Sequence, residues 1–253
     1  MPLIELRNVS KSFEYHHVLR NVDLAVENGE TLALMGRSGI GKSVTLLIIT
    51  GLLQPDEGQV LIQGRDIARL PESELITLRK KFSYVFQSGA LFDSVSVFEN
   101  VAFPLRTERA LDEEQVGARV MGILRRLELE DIADLMPEEI STGMKKRVAM
   151  ARAIAANPLA IFYDEPTTGV DPITGRLISE TIRELQKEMG ITSIVVTHDL
   201  RCAQTVADRV AFIQEGGRIS FHGTVETFIH TDQAEIVQFR TALPRLARPA
   251  PTG

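Results

Sequence analysis

A short apolar run, Thr31–Met35, leads into the glycine-rich segment GRSGIGKS, Gly36–Ser43, which opens directly into a second apolar run, Val44–Ile49. Strand, tight glycine loop and helix in immediate succession restrict the chain to a sheet whose strand ends in a phosphate-sized cradle. Gly36, Gly39 and Gly41 let backbone N–H groups turn inward around phosphate oxygens, and the helix N-terminus adds its dipole. Arg37, Ser38, Ile40 and Val44 complete the candidate nucleotide-binding segment. Lys42 is expected to reach the β- and γ-phosphates, and the Ser43 hydroxyl to hold Mg²⁺.

A second stretch, Ile140–Pro172, carries the complementary chemistry. It reads as a serine/glycine turn, a helix, and an apolar strand, Leu159–Tyr163, that stops at two adjacent carboxylates, Asp164 and Glu165. Carboxylates beside an apolar strand are costly unless a cation or a reacting group uses them. Asp164 is assigned to Mg²⁺. Strand alternation points Glu165 to the other side, toward a water in front of the γ-phosphate, as general base. His198 follows the apolar run Thr192–Val196 and is placed to touch the γ-phosphate and the attacking water. Gln87, after the run Phe82–Phe86, is the candidate Mg²⁺ and water sensor. His16-His17 has no metal-ligand context and reads as a solvated turn.

Composition excludes several classes. A net charge of −6 argues against a broad nucleic-acid surface, and no nucleic-acid partner is expected. The single cysteine, Cys202, has no internal disulfide partner and reads as a small buried apolar residue in a reducing compartment. The N-terminus lacks a basic-then-apolar leader pattern. The longest apolar stretch, Val44–Leu53, is far below the ~20 residues needed to span a bilayer. Any membrane process would need other chains for its spans.

Along the chain, Leu3–Val9 alternates apolar and polar residues and reads as a half-buried edge strand. Val22–Val26, the turn Asn28-Gly29 and Val60–Ile62 extend this into an antiparallel sheet ahead of the glycine loop. From about Ser94 to Met136 the period becomes helical, punctuated by Pro104 and Pro137. This is read as an inserted helical lobe. From Ile140 helices and strands alternate, with helices to Ala156, over Pro172–Met189 and over Leu200–Ala207, implying a parallel sheet. Arg209–Ile213 and Arg218–Phe221 read as closing strands. The prolines of TALPRLARPAPTG, residues 241–253, mark a frayed terminus or a segment that orders against a partner.

In order and spacing these motifs resemble the ABC-type ATPases over roughly residues 3–225. The resemblance implies a P-loop NTPase α/β fold with a RecA-like core, an N-terminal antiparallel β-subdomain and an inserted α-helical subdomain. It implies one nucleotide-binding domain over 1–240, with the helical part at about 94–157. It also implies a head-to-tail homodimer in which the signature turn, Ser141, Thr142, Gly143 and Met144, closes over the partner's ATP while Asp171 links the two sites. By the same resemblance Phe13, with Val18 beside it, stacks on adenine; Tyr15 is the rival.

The usual signature is Leu-Ser-Gly-Gly-Gln, and here it is Ile-Ser-Thr-Gly-Met. A threonine at 142 would be strained if that position needs positive φ, and tolerated at ordinary φ. The basic run Lys145, Lys146, Arg147 is a solvated helix face or a balance for ATP charge.

The wording around Gln87–Arg106, with MPEEISTGMKKR and DEPTTGVDPIT, resembles the ATPases of Mla/Mce-type phospholipid transporters, where Met at 144 is common. That resemblance implies an integral membrane permease dimer received at Gln87–Arg106, an Mce-domain lipid-binding protein and, in some members, a STAS-domain regulator. It places the chain at the cytoplasmic face of the inner membrane. An importer of small polar solutes such as amino acids is the alternative.

Overall fold

Two sheets organise the chain, and the glycine loop springs from the larger. The computed structural model describes residues 1–14, 16–108 and 110–242. In chain order the elements are β1 (Ile4–Phe13), β2 (His16–Val26), β3 (Thr31–Met35), α1 (Lys42–Ile49), β4 (Glu57–Ile62), β5 (Arg65–Asp66), α2 (Glu72–Arg79), β6 (Phe82–Val85), α3 (Val97–Glu108) and α4 (Glu113–Arg126). Then follow α5 (Thr142–Ala155), β7 (Ala160–Asp164), α6 (Pro172–Met189), β8 (Thr192–Thr197), α7 (Leu200–Val206), β9 (Arg209–Gln214), β10 (Arg218–Thr224), α8 (Val225–His230) and α9 (Ala234–Ala242).

The smaller sheet has the order β2-β1-β4-β5 and is antiparallel throughout. β1 is therefore central, and its reading as an edge strand is corrected. Alternation reports that one face is wet; it carries no information about whether the strand's two sides are paired. His16 and His17 are exposed as expected but open β2 rather than lying in a turn, with His17 Nδ1 2.7 Å from Ser12 Oγ.

The larger sheet has the order β10-β9-β3-β8-β7-β6. β9, β3, β8, β7 and β6 run parallel, and β10 returns antiparallel. Every residue of β3 and β8 is buried, which matches their unbroken apolar runs. Parallel strands deliver their carboxyl ends to one rim. The glycine loop, Gln87, Asp164-Glu165 and His198 all follow such ends, which is where open α/β sheets bind ligands.

The helical lobe packs α3, α4 and α5 around Val97, Val101, Val116, Val120, Leu124 and Val148. α4 starts with a capping box between Asp112 and Gln115. Pro104 lies inside α3, not at its end. Proline removes one i→i−4 bond, but Val101, Ala102 and Leu105 are buried on either side of it and hold the helix across the gap.

α2, α8 and α9 had no clear signal. α2 buries only Leu75, and α9 only Ile236 and Phe239, too few to show a period. Thr241 and Ala242, assigned to the tail, end α9; the rest of the expected tail, 243–253, lies outside the described residues, as does Tyr15. Cys202 is buried on α7 as expected, its thiol pushed up to about 12 by burial. Among the described residues no helix is long and apolar enough to cross a membrane.

Candidate active site

The glycine loop is shaped by steric need. Gly36 has φ 154°, and a Cβ there would lie 2.6 Å from the Ile213 carbonyl oxygen. Gly41 has φ 113°, and its Cβ would lie 3.0 Å from the Val18 carbonyl oxygen. Side chains at either position would press against these neighbours and shift the loop. Gly41 caps α1 without any side-chain hydrogen bond, so the first N–H groups of the helix remain available to an anion. Arg37, Ser38 and Gly39 are exposed, while Ile40 and Val44 anchor the loop by packing on the N-terminal core.

Lys42 folds over the loop it follows. Its ammonium donates to the carbonyls of Gly36 (2.9 Å) and Arg37 (3.0 Å) and lies 3.8 Å from Glu165 Oε1. Burial lowers its pKa, opposed by the Glu165 and Asp164 carboxylates.

The exposed Ser43 hydroxyl donates to Asp164 Oδ1 at 3.3 Å. Tyr84 donates its hydroxyl to Asp164 Oδ2 at 3.0 Å. Burial, reinforced by Asp164, holds the Tyr84 phenol well above its ordinary pKa, so it stays a donor. Nothing in the sequence marked Tyr84; it reaches Asp164 because β6 lies beside β7 in parallel register, Tyr84 opposite Phe162.

Glu165 diverges from Asp164, but alternation is not the cause. β7 ends at Asp164, and Glu165 has φ 49°. Its N–H donates to the Val196 carbonyl at 2.9 Å. The left-handed turn swings the side chain toward His198, whose Nδ1 lies 2.8 Å from Glu165 Oε2, while Thr168 Oγ1 donates to the same oxygen at 3.2 Å. Strain of this kind costs roughly 1–3 kcal/mol and persists only when surrounding contacts hold it.

The structure brings Arg37, Ser38, Gln87, Glu165, Thr168 and His198 to the wall of one cavity of about 650 Å³. Its far wall comes from α9, an element the sequence did not reveal. Other candidates stand apart. Phe13 is 45% exposed at the end of β1, with Lys11 Nζ 5.6 Å from its ring centroid. Val18 packs beside Gly41. Neither lines the cavity.

The signature turn is also outside it. Ser141 caps α5, its Oγ accepting from Met144 N at 3.2 Å. Thr142 is the first helical residue and is not among those with positive φ, so the strained alternative does not arise. Gly143 is needed on other grounds, since a Cβ there would lie 2.4 Å from Thr174 Cγ2. Met144 is partly exposed. Asp171 caps α6, accepting from Ile173 N and Thr174 N at 3.0 Å each and from Thr174 Oγ1 at 2.5 Å. The Thr174 hydroxyl, then its amide, hold the Asp171 pKa below its ordinary value.

The basic run is not a solvated face. Lys146 is buried and donates to the Glu165 carbonyl at 3.4 Å. Arg147 donates to the Leu127 carbonyl and pairs with Glu128. Lys145 and Arg147 are half-buried and Lys146 between them is buried, so none of the three is a freely solvated side chain.

A groove of about 560 Å³ lies on the helical lobe, lined in part by Phe92, Phe103, Glu99 and Arg106. The exposed rings of Phe92 and Phe103 are 4.8 Å apart. Arg106 ties Glu99 to Glu113 beside them.

Among the described residues no cluster of three or more His, Cys, Asp or Glu side chains could hold a metal. Ser43 and Asp164 nevertheless offer two hard oxygens side by side, a fit for Mg²⁺, which keeps several waters and takes few protein ligands.

The ABC transporter family matches residues 19–168. The intermembrane phospholipid transport system ATP-binding protein MlaF of Haemophilus influenzae is 41% identical over 94% of this chain and 89% of its own length. The methionine import ATP-binding protein MetN of Carboxydothermus hydrogenoformans is 42% identical over 81% of this chain and 60% of its own. A solved dimeric cassette, MJ0796 in a post-hydrolysis state bound to ADP and Pi, superposes with a TM-score of 0.79 at 35% identity, covering 88% of this chain and 98% of that one.

Proposed function

Because the chain belongs to the ABC transporter ATP-binding family, we propose that it is the ATP-hydrolysing subunit of a transporter that moves phospholipid between membranes. The observation that carries the catalytic part is the shared cavity, where Gln87, Glu165 and His198 meet the loop residues Arg37 and Ser38. The phospholipid part rests on the likeness to MlaF along nearly the whole chain.

Glu165 accepts the proton of the attacking water. His198, hydrogen-bonded to Glu165, holds the carboxylate and the water in line. Lys42 and the glycine-loop amides neutralise phosphate charge, with Lys42 exchanging its loop carbonyls for phosphate oxygens. Ser43, Asp164 and Gln87 would hold Mg²⁺, which, when bound, offsets charge on the β- and γ-phosphates. Tyr84 keeps Asp164 aimed at Ser43.

The signature turn lies outside its own chain's cavity and serves ATP on a second copy, in a head-to-tail dimer. There Ser141, Thr142, Gly143 and Met144 meet the partner's nucleotide, Asp171 bridges the two sites, and Phe13 with Val18 faces adenine. The groove at Phe92 and Phe103 receives an apolar segment of a permease dimer at the cytoplasmic face of the inner membrane. An Mce-domain lipid-binding protein and a STAS-domain regulator complete the proposed assembly.

Isolation of the chain from membranes with its partners tests the reading. Permease and phospholipid are expected to come with it. Recovery with a small-solute binding protein and no lipid would instead favour an importer of polar solutes, the reading to which the likeness to MetN points.

A further inference from the structure

Among the described residues Lys146 is the one buried ammonium near the cavity that neither the glycine loop nor the metal pair employs. It is 2% exposed. Among the described residues its only hydrogen-bond acceptor is the Glu165 carbonyl, at 3.4 Å. Burial lowers its pKa, opposed by the nearby Glu165 carboxylate, so both its hydrogen bond and its charge partner come from Glu165. A methionine of similar length would fill the same volume without burying a charge. The location explains why a lysine is useful there.

Glu165 sits at φ 49° immediately after β7. Its N–H is held by the Val196 carbonyl of β8, and its carbonyl by Lys146 of α5. The strained residue thus hangs between two anchors, one in the sheet and one in the helical lobe. α5 begins at the signature turn, and Gly143 and Lys146, three residues apart, are both buried on one side of it. Further along the same helix, Arg152 donates to the carbonyls of Gly89 and Ala90, just after Gln87. α5 therefore touches the signature turn, the Glu165 peptide and the segment leading to the Phe92 groove.

We propose that Lys146 is a positioning residue for Glu165: its buried ammonium pins the Glu165 carbonyl and so ties the placement of the carboxylate to α5, the helix that starts at the signature turn. The inference rests on the reading of Glu165 as the base. Lys146 touches no reacting atom. Its effect falls on the rate of the chemical step and leaves the glycine loop, which binds the nucleotide, undisturbed.

The test compares Lys146→Met, Lys146→Arg and Glu165→Gln in the full chain, measuring kcat, KM for ATP, ATP affinity and melting temperature. Lys146→Met is expected to lower kcat at least tenfold, with KM and ATP affinity within twofold of the parent and no fall in melting temperature. Lys146→Arg, which keeps a cationic donor, is expected to recover most of kcat. Unchanged kcat in Lys146→Met would overturn the proposal. So would a loss of kcat that tracks lost ATP affinity or melting temperature, or that arginine fails to repair, since each would make Lys146 a packing element. If Glu165→Gln still turns over, the base assignment falls and the inference with it. If Glu165→Gln is inactive while Lys146→Met is not, only the inference falls.

Discussion

Around the glycine loop the functional side chains already hold one another, whereas the Ser141 hydroxyl of the signature turn is bonded within its own helix. Lys42 is bonded to its own loop and lies near Glu165; Glu165 is bonded to His198 and Thr168; Ser43 and Tyr84 grip the two oxygens of Asp164. At the signature, the Ser141 hydroxyl caps its own helix and lies outside the cavity. The contrast teaches that a single chain carries one group of candidate residues already in mutual contact and one that, on the proposed reading, waits for a second copy. The cassette MJ0796, to which this chain is similar, is dimeric.

The comparison can be broken at the group in mutual contact first. Glu165→Gln removes the proposed base while sparing the loop. Turnover is expected to fall on the order of 10²–10⁴-fold, with ATP affinity retained and an ATP-trapped dimer visible by light scattering. Retained hydrolysis would remove Glu165 from the role. Lys42→Ala deletes the ammonium proposed to meet the phosphates. ATP affinity measured by calorimetry is expected to drop roughly 10- to 150-fold, the range set by about 1.5–3 kcal/mol for a hydrogen bond to a charged group. Undiminished affinity would contradict the phosphate role. The smallest effect belongs to the signature. Thr142 has ordinary φ at the start of α5, so Thr142→Gly should change the ATPase rate by less than about twofold, since only a few tenths of a kcal/mol of helix propensity separate the two residues. A large gain in rate would mean that Thr142 obstructs closure on the partner.

Much of this was legible in the chain. β3, β7 and β8 stood out because strands buried on both faces leave unbroken apolar runs, and α6 emerged with its observed bounds because Pro172 opens it and Gly190 closes it. Gln87, Asp164, Glu165 and His198 could be singled out as candidates because each lies at or just past the end of an apolar run. β1 was misplaced as an edge because its alternation is blind to pairing. The helix through Pro104 was cut because a missing hydrogen bond is visible in sequence and the packing that outweighs it is not. The basic run could be read as a solvated face or as a balance for ATP charge because three consecutive basic residues hide which of them the helix buries.

The local covalent grammar belongs to the sequence: a glycine loop between strand and helix, carboxylates at a strand end, a serine at a helix start. Such features depend on φ/ψ preference and on neighbours a few residues away, so the chain by itself determined them. Only the tertiary structure decided that Tyr84 meets Asp164 across 80 residues, that α9 walls the cavity, that Glu165 turns by its backbone, and that Lys146 reaches Glu165 from another layer. Those contacts follow from strand order and helix packing, which side-chain burial selects over the whole molecule at once and no short window of sequence records.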